Sequence, residues 1–222
     1  MKLSSSLENY PDIDSWLQFH SDGKITVNTG KVELGQKLIT AFTVIVAEEL
    51  DVDPGRIIVT TADTSGSPNE GYTAGSNSME SSGMALRQVS AKVRQVLLEK
   101  ASQQLGVQVE NLNLNDGEIS CSLTNQSVTY LELTGGKNFN IKVSEDVVPK
   151  SHDQYNLIGK KVPGIGYEEL VTGATTFIQD LEFPGMLHAR VVRPPGYNAR
   201  LQELNEKYVW EMPGVVGVVV DG

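Results

Sequence analysis

The sequence predicts an α+β fold: an N-terminal sheet with two packed helices, then a linker, then a second and shorter module. Three observations carry it. Two stretches place apolar residues at the helical period, short apolar runs are set off by Asp-Gly pairs, and the elements run β-β-α-β-α-β followed by β-α-β. Residues 13–19 and 24–28 read as strands. Asp22-Gly23 between them is a hairpin signal, because both central residues of such a turn take positive φ. Leu38, Phe42, Ile45, Val46 and Leu50 share one helical face and predict a helix over 37–50, with Asp53-Pro54-Gly55 closing the connection after it. A short strand follows at 56–60. Residues 62–78 hold four Gly or Pro and almost nothing apolar, which predicts a loop.

A longer helix over 80–105 carries Leu86, Val89, Val93, Val96, Leu97, Ala101 and Leu105 on one face, with Gly106 placed to end it. Short strands are expected around Asp116-Gly117 and an extended connection over 135–166. Beyond it come a strand at 186–192, a helix within 199–211 and a strand at 215–220. The expected organisation is an α+β subdomain over 1–136, a linker over 137–165 and an incomplete second module over 166–222.

Composition narrows the chemistry. The 222 residues suit one large or two small domains, and a hydrophobic fraction of 39% can fill a core. Cys121 is the single cysteine, so a disulfide scaffold is excluded, and zinc fingers and iron–sulfur clusters lack ligands. His20, His152 and His188 show no metal-ligand spacing. No catalytic residue and no metal site is assigned. With 28 acidic against 18 basic residues, the net charge of −10 argues against a nucleic-acid partner. No run approaches the ~18 apolar residues of a membrane span, and the first residues lack the apolar segment of a signal peptide, so the chain reads as soluble and unexported. The compartment stays unassigned, because an incomplete start would hide an export signal. Its last residues read as a buried strand entering a turn, the expectation for a piece of a longer protein.

Two loops stand out. Thr29 to Lys37 turns from a strand directly into a helix, where unpaired amide groups and the helix dipole favour an acceptor-rich ligand. Gly35 permits close approach to the backbone, and the Gln36 carboxamide both donates and accepts, which suits the edge of a heterocycle. Asp63 to Ser78 ends in the small, hydroxyl-rich run 73–78 ahead of the second helix, and loops of this length are usually functional or disordered. Each also has an ordinary structural reading, Gly30 and Gly35 as turn formers with Gln36 a solvated cap, and a serine cap on a flexible loop. Because both loops precede helices, helices packed side by side on one sheet bring them to one rim. Neither loop is a phosphate-binding P-loop, since Gln36-Lys37 stands where Lys-Ser or Lys-Thr is required.

The run Gly30-Lys31-Val32-Glu33-Leu34-Gly35-Gln36, the helix segment Val46-Ala47-Glu48-Glu49-Leu50-Asp51-Val52, and Asp63-Thr64 with Pro68 to Ser78 resemble the molybdopterin-binding subunit of the xanthine dehydrogenase and aldehyde oxidase family. The likeness is strongest to its branch of isoquinoline 1-oxidoreductase beta subunits. Thr172-Gly173-Ala174, Asp180 and Pro184 to Pro195 resemble the opening of that family's α/β hammerhead domain. The resemblance implies that Leu34, Gly35 and Gln36, together with Thr73, Ala74, Gly75, Ser76, Asn77 and Ser78, hold the pterin and phosphate of a molybdopterin, often as its cytosine dinucleotide. The family usually has Gly where Lys37 stands, and a side chain there either crowds the pterin or meets its phosphate.

The family's late catalytic glutamate and its glycine-rich metal-site loop have no match here. The resemblance therefore implies part of a molybdenum hydroxylase large subunit acting on aldehydes or N-heterocycles, inactive and free of cofactor by itself. Its implied partners are the remainder of that subunit and a small 2Fe–2S subunit, consistent with the lone cysteine. The alternative is a non-catalytic α+β binding or interaction module that has lost the cofactor.

Overall fold

The computed structural model describes residues 2–220 and divides into two units, Met1–Phe177 and Ile178–Gly222. The fold is α+β, as the sequence predicts. Unit 1 opens with α1 (Ser5–Asn9), which the periodicity does not reveal; the Ser4 hydroxyl accepts from the Leu7 N–H at 3.4 Å, and Leu7 is buried. Strand β1 (Leu17–Phe19) pairs antiparallel with β2 (Ile25–Thr29), Leu17 opposite Val27, around Gly23 at φ 81°. The strand expected from residue 13 begins four residues late. Residues 13–15 form a 3-10 turn instead, because the Asp14 carboxylate accepts from the N–H groups of Phe139 and Asn140 and the Ile13 N–H donates to the Ile141 carbonyl.

From β2 the chain crosses through α2 (Leu38–Leu50) and returns as β3 (Ile57–Thr61), parallel to β2 with Thr29 opposite Thr61. That register matters for the site. Two parallel strands that end in step release both following loops, 30–37 and 62–78, from one edge of the sheet. The second long helix, α3 (Met84–Leu105), is entered through a π-helical turn at Met79–Gly83, where the Gly83 N–H reaches back five residues to the Ser78 carbonyl at 2.9 Å. It ends on Gly106 at φ 67°, the expected cap.

Strands β4 (Leu112–Asn115), β5 (Glu118–Cys121) and β6 (Gln126–Thr129) form an antiparallel meander around Asp116-Gly117. The short helix α4 (Tyr130–Thr134) follows, held by a reciprocal Thr129–Glu132 cap that the Thr-x-x-Glu spacing announces. Arg56 ties the two Asp-Gly turns together, donating to the Gly23 carbonyl at 2.9 Å and to the Asp116 carboxylate at 3.1 Å. Trp16, Phe42, Leu86, Leu97 and Tyr130 centre the core. The Tyr130 hydroxyl donates to the Leu50 carbonyl at 2.7 Å, and burial pushes that phenol far above its ordinary value. Residues 137–165 form no long element, yet Val143, Val147 and Lys150 are buried within unit 1; α5 (Tyr167–Thr172) follows.

Unit 2 departs from expectation. Among its described residues there is no strand, and the runs 186–192 and 215–220, expected as strands, are irregular and mostly exposed, with Val192 fully so. A strand exists through its neighbours, and among the described residues neither run pairs with another strand; Met186 and Val215 make only turn bonds, to the Phe183 and Met212 carbonyls. The helix expected over 199–211 shrinks to α6 (Glu206–Trp210), where the Asn205 side chain accepts from the Tyr208 N–H at 3.1 Å. Short helices depend on packing an apolar face, and Leu201 and Leu204 stay exposed. The turn expected at 221–222 lies outside the described residues. Among those described, no helix is long and apolar enough to cross a membrane.

Candidate functional site

The two loops are stitched together, the start of the first against residues 70–73 of the second. Glu70 is the hub: its carboxylate accepts from the Thr29 hydroxyl at 2.7 Å and the Gly30 N–H at 2.9 Å on one oxygen, and from the hydroxyls of Ser6 at 2.8 Å and Ser82 at 2.6 Å on the other. Lys31, buried despite its charge, donates to the carbonyls of Glu70 at 2.7 Å and Tyr72 at 3.0 Å. The Val32 N–H donates to the Thr73 hydroxyl oxygen at 2.8 Å. A Cβ on Gly30 would lie 2.1 Å from the Pro68 carbonyl oxygen, so only glycine allows this approach. The π turn has a visible use here. It brings Ser82, fully buried, onto Glu70.

Leu34, Gly35 and Gln36 lie just past this seam and are exposed. The N-terminus of α2 is not open, however. Glu33 folds back over it, one carboxylate oxygen accepting from the N–H groups of Gly35 at 2.8 Å and Lys37 at 3.0 Å, the other from Ile39 at 3.0 Å. An internal carboxylate thus fills the place that the strand-to-helix pattern offered to an anion. Gln36 is also engaged, its oxygen accepting from the Leu34 N–H at 2.5 Å and its nitrogen donating to the Val32 carbonyl at 2.8 Å. Lys37 occupies a left-handed position at φ 65° and turns its ammonium 3.8 Å over the Tyr167 ring.

The second loop presents a different pole. Residues 74–77 are exposed, Gly75 and Ser76 take positive φ, and a Cβ on Gly75 would meet open space. No side chain caps the π turn that follows. Upstream, the loop is tied by the Asp63 carboxylate, which accepts from the Ser65 hydroxyl and N–H; these bonds hold its carboxyl below the usual range. Of the nominated residues, the seam joins Thr73 directly to the 30–37 loop, while Ala74 to Ser78 extend beyond it. No group of three or more His, Cys, Asp or Glu among the described residues could hold a metal. The donors on offer are amides, hydroxyls and a carboxamide.

Sequence reasoning did not anticipate a buried ionic cluster behind the site. Glu48, on α2, accepts from the N–H groups of Asn156, Leu157 and Ile158 at 2.6–3.0 Å. Burial raises its carboxyl, but those three amides and the Lys150 ammonium prevail and hold it below the ordinary value. Glu49 accepts from the Lys150 N–H and pairs with Arg87 at 3.3 Å and Arg94 at 3.2 Å. Burial prevails there and pushes that carboxyl up. The signal was Glu48-Glu49 inside an otherwise apolar helix segment, a pattern that requires buried partners.

Comparison with known proteins follows the same division. The family model described as the molybdopterin cofactor-binding domain matches residues 3–167. A nicotinate dehydrogenase subunit of Pseudomonas putida is 34% identical over 207 residues, covering 90% of this chain and 17% of that protein. The beta subunit of isoquinoline 1-oxidoreductase from Brevundimonas diminuta is 26% identical over 239 residues, covering 90% of this chain and 31% of its own. A solved Cu,Mo-CO dehydrogenase has 24% identity over 53% of this chain and 15% of that chain, with a TM-score of 0.47. The chain therefore spans less than a third of the length of the two named relatives. The resemblance carried by its two loops is borne out, and the chain belongs to the molybdopterin cofactor-binding domain family.

Proposed function

We propose that the loops 30–37 and 70–78 form part of the molybdopterin site of a molybdenum hydroxylase large subunit that oxidises an aldehyde or an N-heterocycle. The observation that carries the reading is the seam: Lys31, Val32, Glu70 and Thr73 hold two loops of exposed, uncharged donors side by side at one sheet edge. The donor set fits the group. A pterin offers a heterocycle edge with donors and acceptors, which a carboxamide and backbone amides match, and a phosphate is best received where no carboxylate already sits. Glu33 closes the α2 terminus to it, so the phosphate, or that of a cytosine dinucleotide, falls to Thr73 to Ser78, and the pterin edge to Leu34, Gly35 and Gln36.

When bound, the cofactor carries the molybdenum at which oxidation takes place. This chain supplies binding and orientation only, and the remainder of the large subunit and a small 2Fe–2S subunit complete the enzyme. By itself it retains no cofactor and turns nothing over. A second reading, an interaction module that no longer takes cofactor, draws on Gln36, whose oxygen and nitrogen each already make one bond inside the loop. The test is to purify the full complex and measure molybdenum and pterin content beside aldehyde and N-heterocycle oxidation. Gln36→Ala and Ser76→Ala lower pterin content if the reading holds; unchanged content removes their assigned role, and a folded complex with neither metal nor turnover favours the interaction module.

A further inference from the structure

A groove of about 540 Å³ runs between α2 and the strap 155–162, reaching Lys37 at the end of the 30–37 loop but lined by none of the seam residues Lys31, Val32, Glu70 and Thr73. Its floor is apolar, with Ala41 and Val44 from the helix facing Ile158 from the strap, and its charged residues are Lys37, Arg87 and Lys160. None of its lining residues carries a carboxylate. The chain as a whole carries a net charge of −10, so an acid-free basic groove runs against its composition. Arg87 is paired with Glu49, but among the described residues neither Lys37 nor Lys160 is in an ion pair. Among the described residues, the contacts of the Lys37 ammonium are neutral, the Tyr167 ring and, at 3.5 Å, the Ile165 carbonyl.

The groove is also built rather than incidental. Three successive amides of the strap are held by the buried Glu48 carboxylate, which fixes the wall opposite α2. Eight residue steps from Lys37 to Ile45 give the helical wall a length of about 12 Å, room for about four residues of extended chain. Its open form suits a polypeptide better than an enclosed small molecule. Both relatives described above are named as subunits, so chains of this kind work beside partners.

We propose that this groove docks an acidic segment of a partner subunit, with apolar side chains seated on Ala41, Val44 and Ile158 and carboxylates meeting Lys37 and Lys160. Charge complementarity of this kind selects the partner and sets its register, while the apolar floor supplies contact. The proposal does not depend on the loops holding cofactor. Its test is carbodiimide treatment of the purified complex, which condenses a touching ammonium and carboxylate to an amide with loss of water. Mass spectrometry then reads an adduct joining Lys160 or Lys37 to an Asp or Glu of another subunit. Lys160→Glu lowers the co-purifying partner by about tenfold, whereas Lys160→Arg keeps the partner and loses only the adduct at that position. Adducts solely to carboxylates of the same polypeptide, no adduct at either lysine in an intact complex, or undiminished partner with Lys160→Glu would each overturn it. Molybdenum content of the same preparations reports on the cofactor reading separately.

Discussion

Thr29, the last residue of β2, donates its hydroxyl to the Glu70 carboxylate at 2.7 Å, joining the root of the first loop to the middle of the second across 41 positions of chain. The same carboxylate accepts from Gly30, Ser6 and Ser82, one backbone N–H and three hydroxyls on its two oxygens in all.

Glu70→Gln removes the charge from these bonds and forces the Ser6 and Ser82 hydroxyls to turn and accept, and is expected to cost about 1–3 kcal/mol. Urea unfolding measures the loss, and hydrogen exchange at Val32 accelerates as the seam loosens. Gly30→Ala is expected to be at least as damaging, because its Cβ cannot share space with the Pro68 carbonyl. Stability equal to wild type in both variants would show that the seam does not hold the loops.

The Glu48 clamp predicts a pH dependence with a definite sign. Its folded carboxyl lies below the ordinary value, so the folded state holds fewer protons there than the unfolded chain. The stability it contributes is present above the unfolded value of about 4.3 and is lost as pH falls through the lower folded value. Glu49, shifted upward, acts in the opposite sense, its contribution falling as pH rises. Comparison of wild type with Glu48→Gln isolates the first effect. At pH 7 the variant is expected to be less stable by about 3 kcal/mol, and the gap narrows toward pH 3. A gap that stays constant with pH would contradict the assignment.

Lys37 sets backbone strain against a ring contact. A lysine in the left-handed region costs about 1 kcal/mol relative to glycine, and the contact with Tyr167 returns about 0.5–1 kcal/mol. Lys37→Gly alone is expected to change stability by less than about 0.5 kcal/mol, whereas in a Tyr167→Ala background it stabilises by about 1 kcal/mol. A double-mutant cycle by thermal unfolding checks this, and equal effects in both backgrounds would show that the ring contact contributes nothing.

Arg56 couples the two Asp-Gly turns. Its guanidinium spans the Gly23 carbonyl and Asp116, whose carboxyl is held low by the Asp53 N–H and, against some burial, by Arg56 itself. Arg56→Ala is expected to cost about 1–2 kcal/mol. Arg56→Lys does not restore it, because a single ammonium cannot serve both turns. Full rescue by lysine would refute the bridging role.

Much of the fold was legible. The two long helices, the first hairpin, the strand at 57–61 and the Gly106 cap follow from periodicity and turn chemistry, which are local, and the loop motifs pointed to the family. The Thr129–Glu132 cap and the helix it starts are missed by a reading of the region as short strands, although the Thr-x-x-Glu spacing carries the signal. What escaped were relations between distant residues: that Glu33 would close the α2 terminus, that Glu70 would collect four donors, and that Glu48 and Glu49 would be buried on residues 100 positions away. A carboxylate in a sequence does not reveal which amides it will meet.

By itself, then, the sequence determined the α+β class, the loops before each helix and the family they mark, because these depend on neighbours three or four residues apart. The tertiary structure decided which helix end stays open, how closely the loops approach, and that the apolar runs of unit 2 remain unpaired. Hydrogen bonds of buried carboxylates and the pairing of strands are satisfied across the fold, and only the assembled chain fixes their partners.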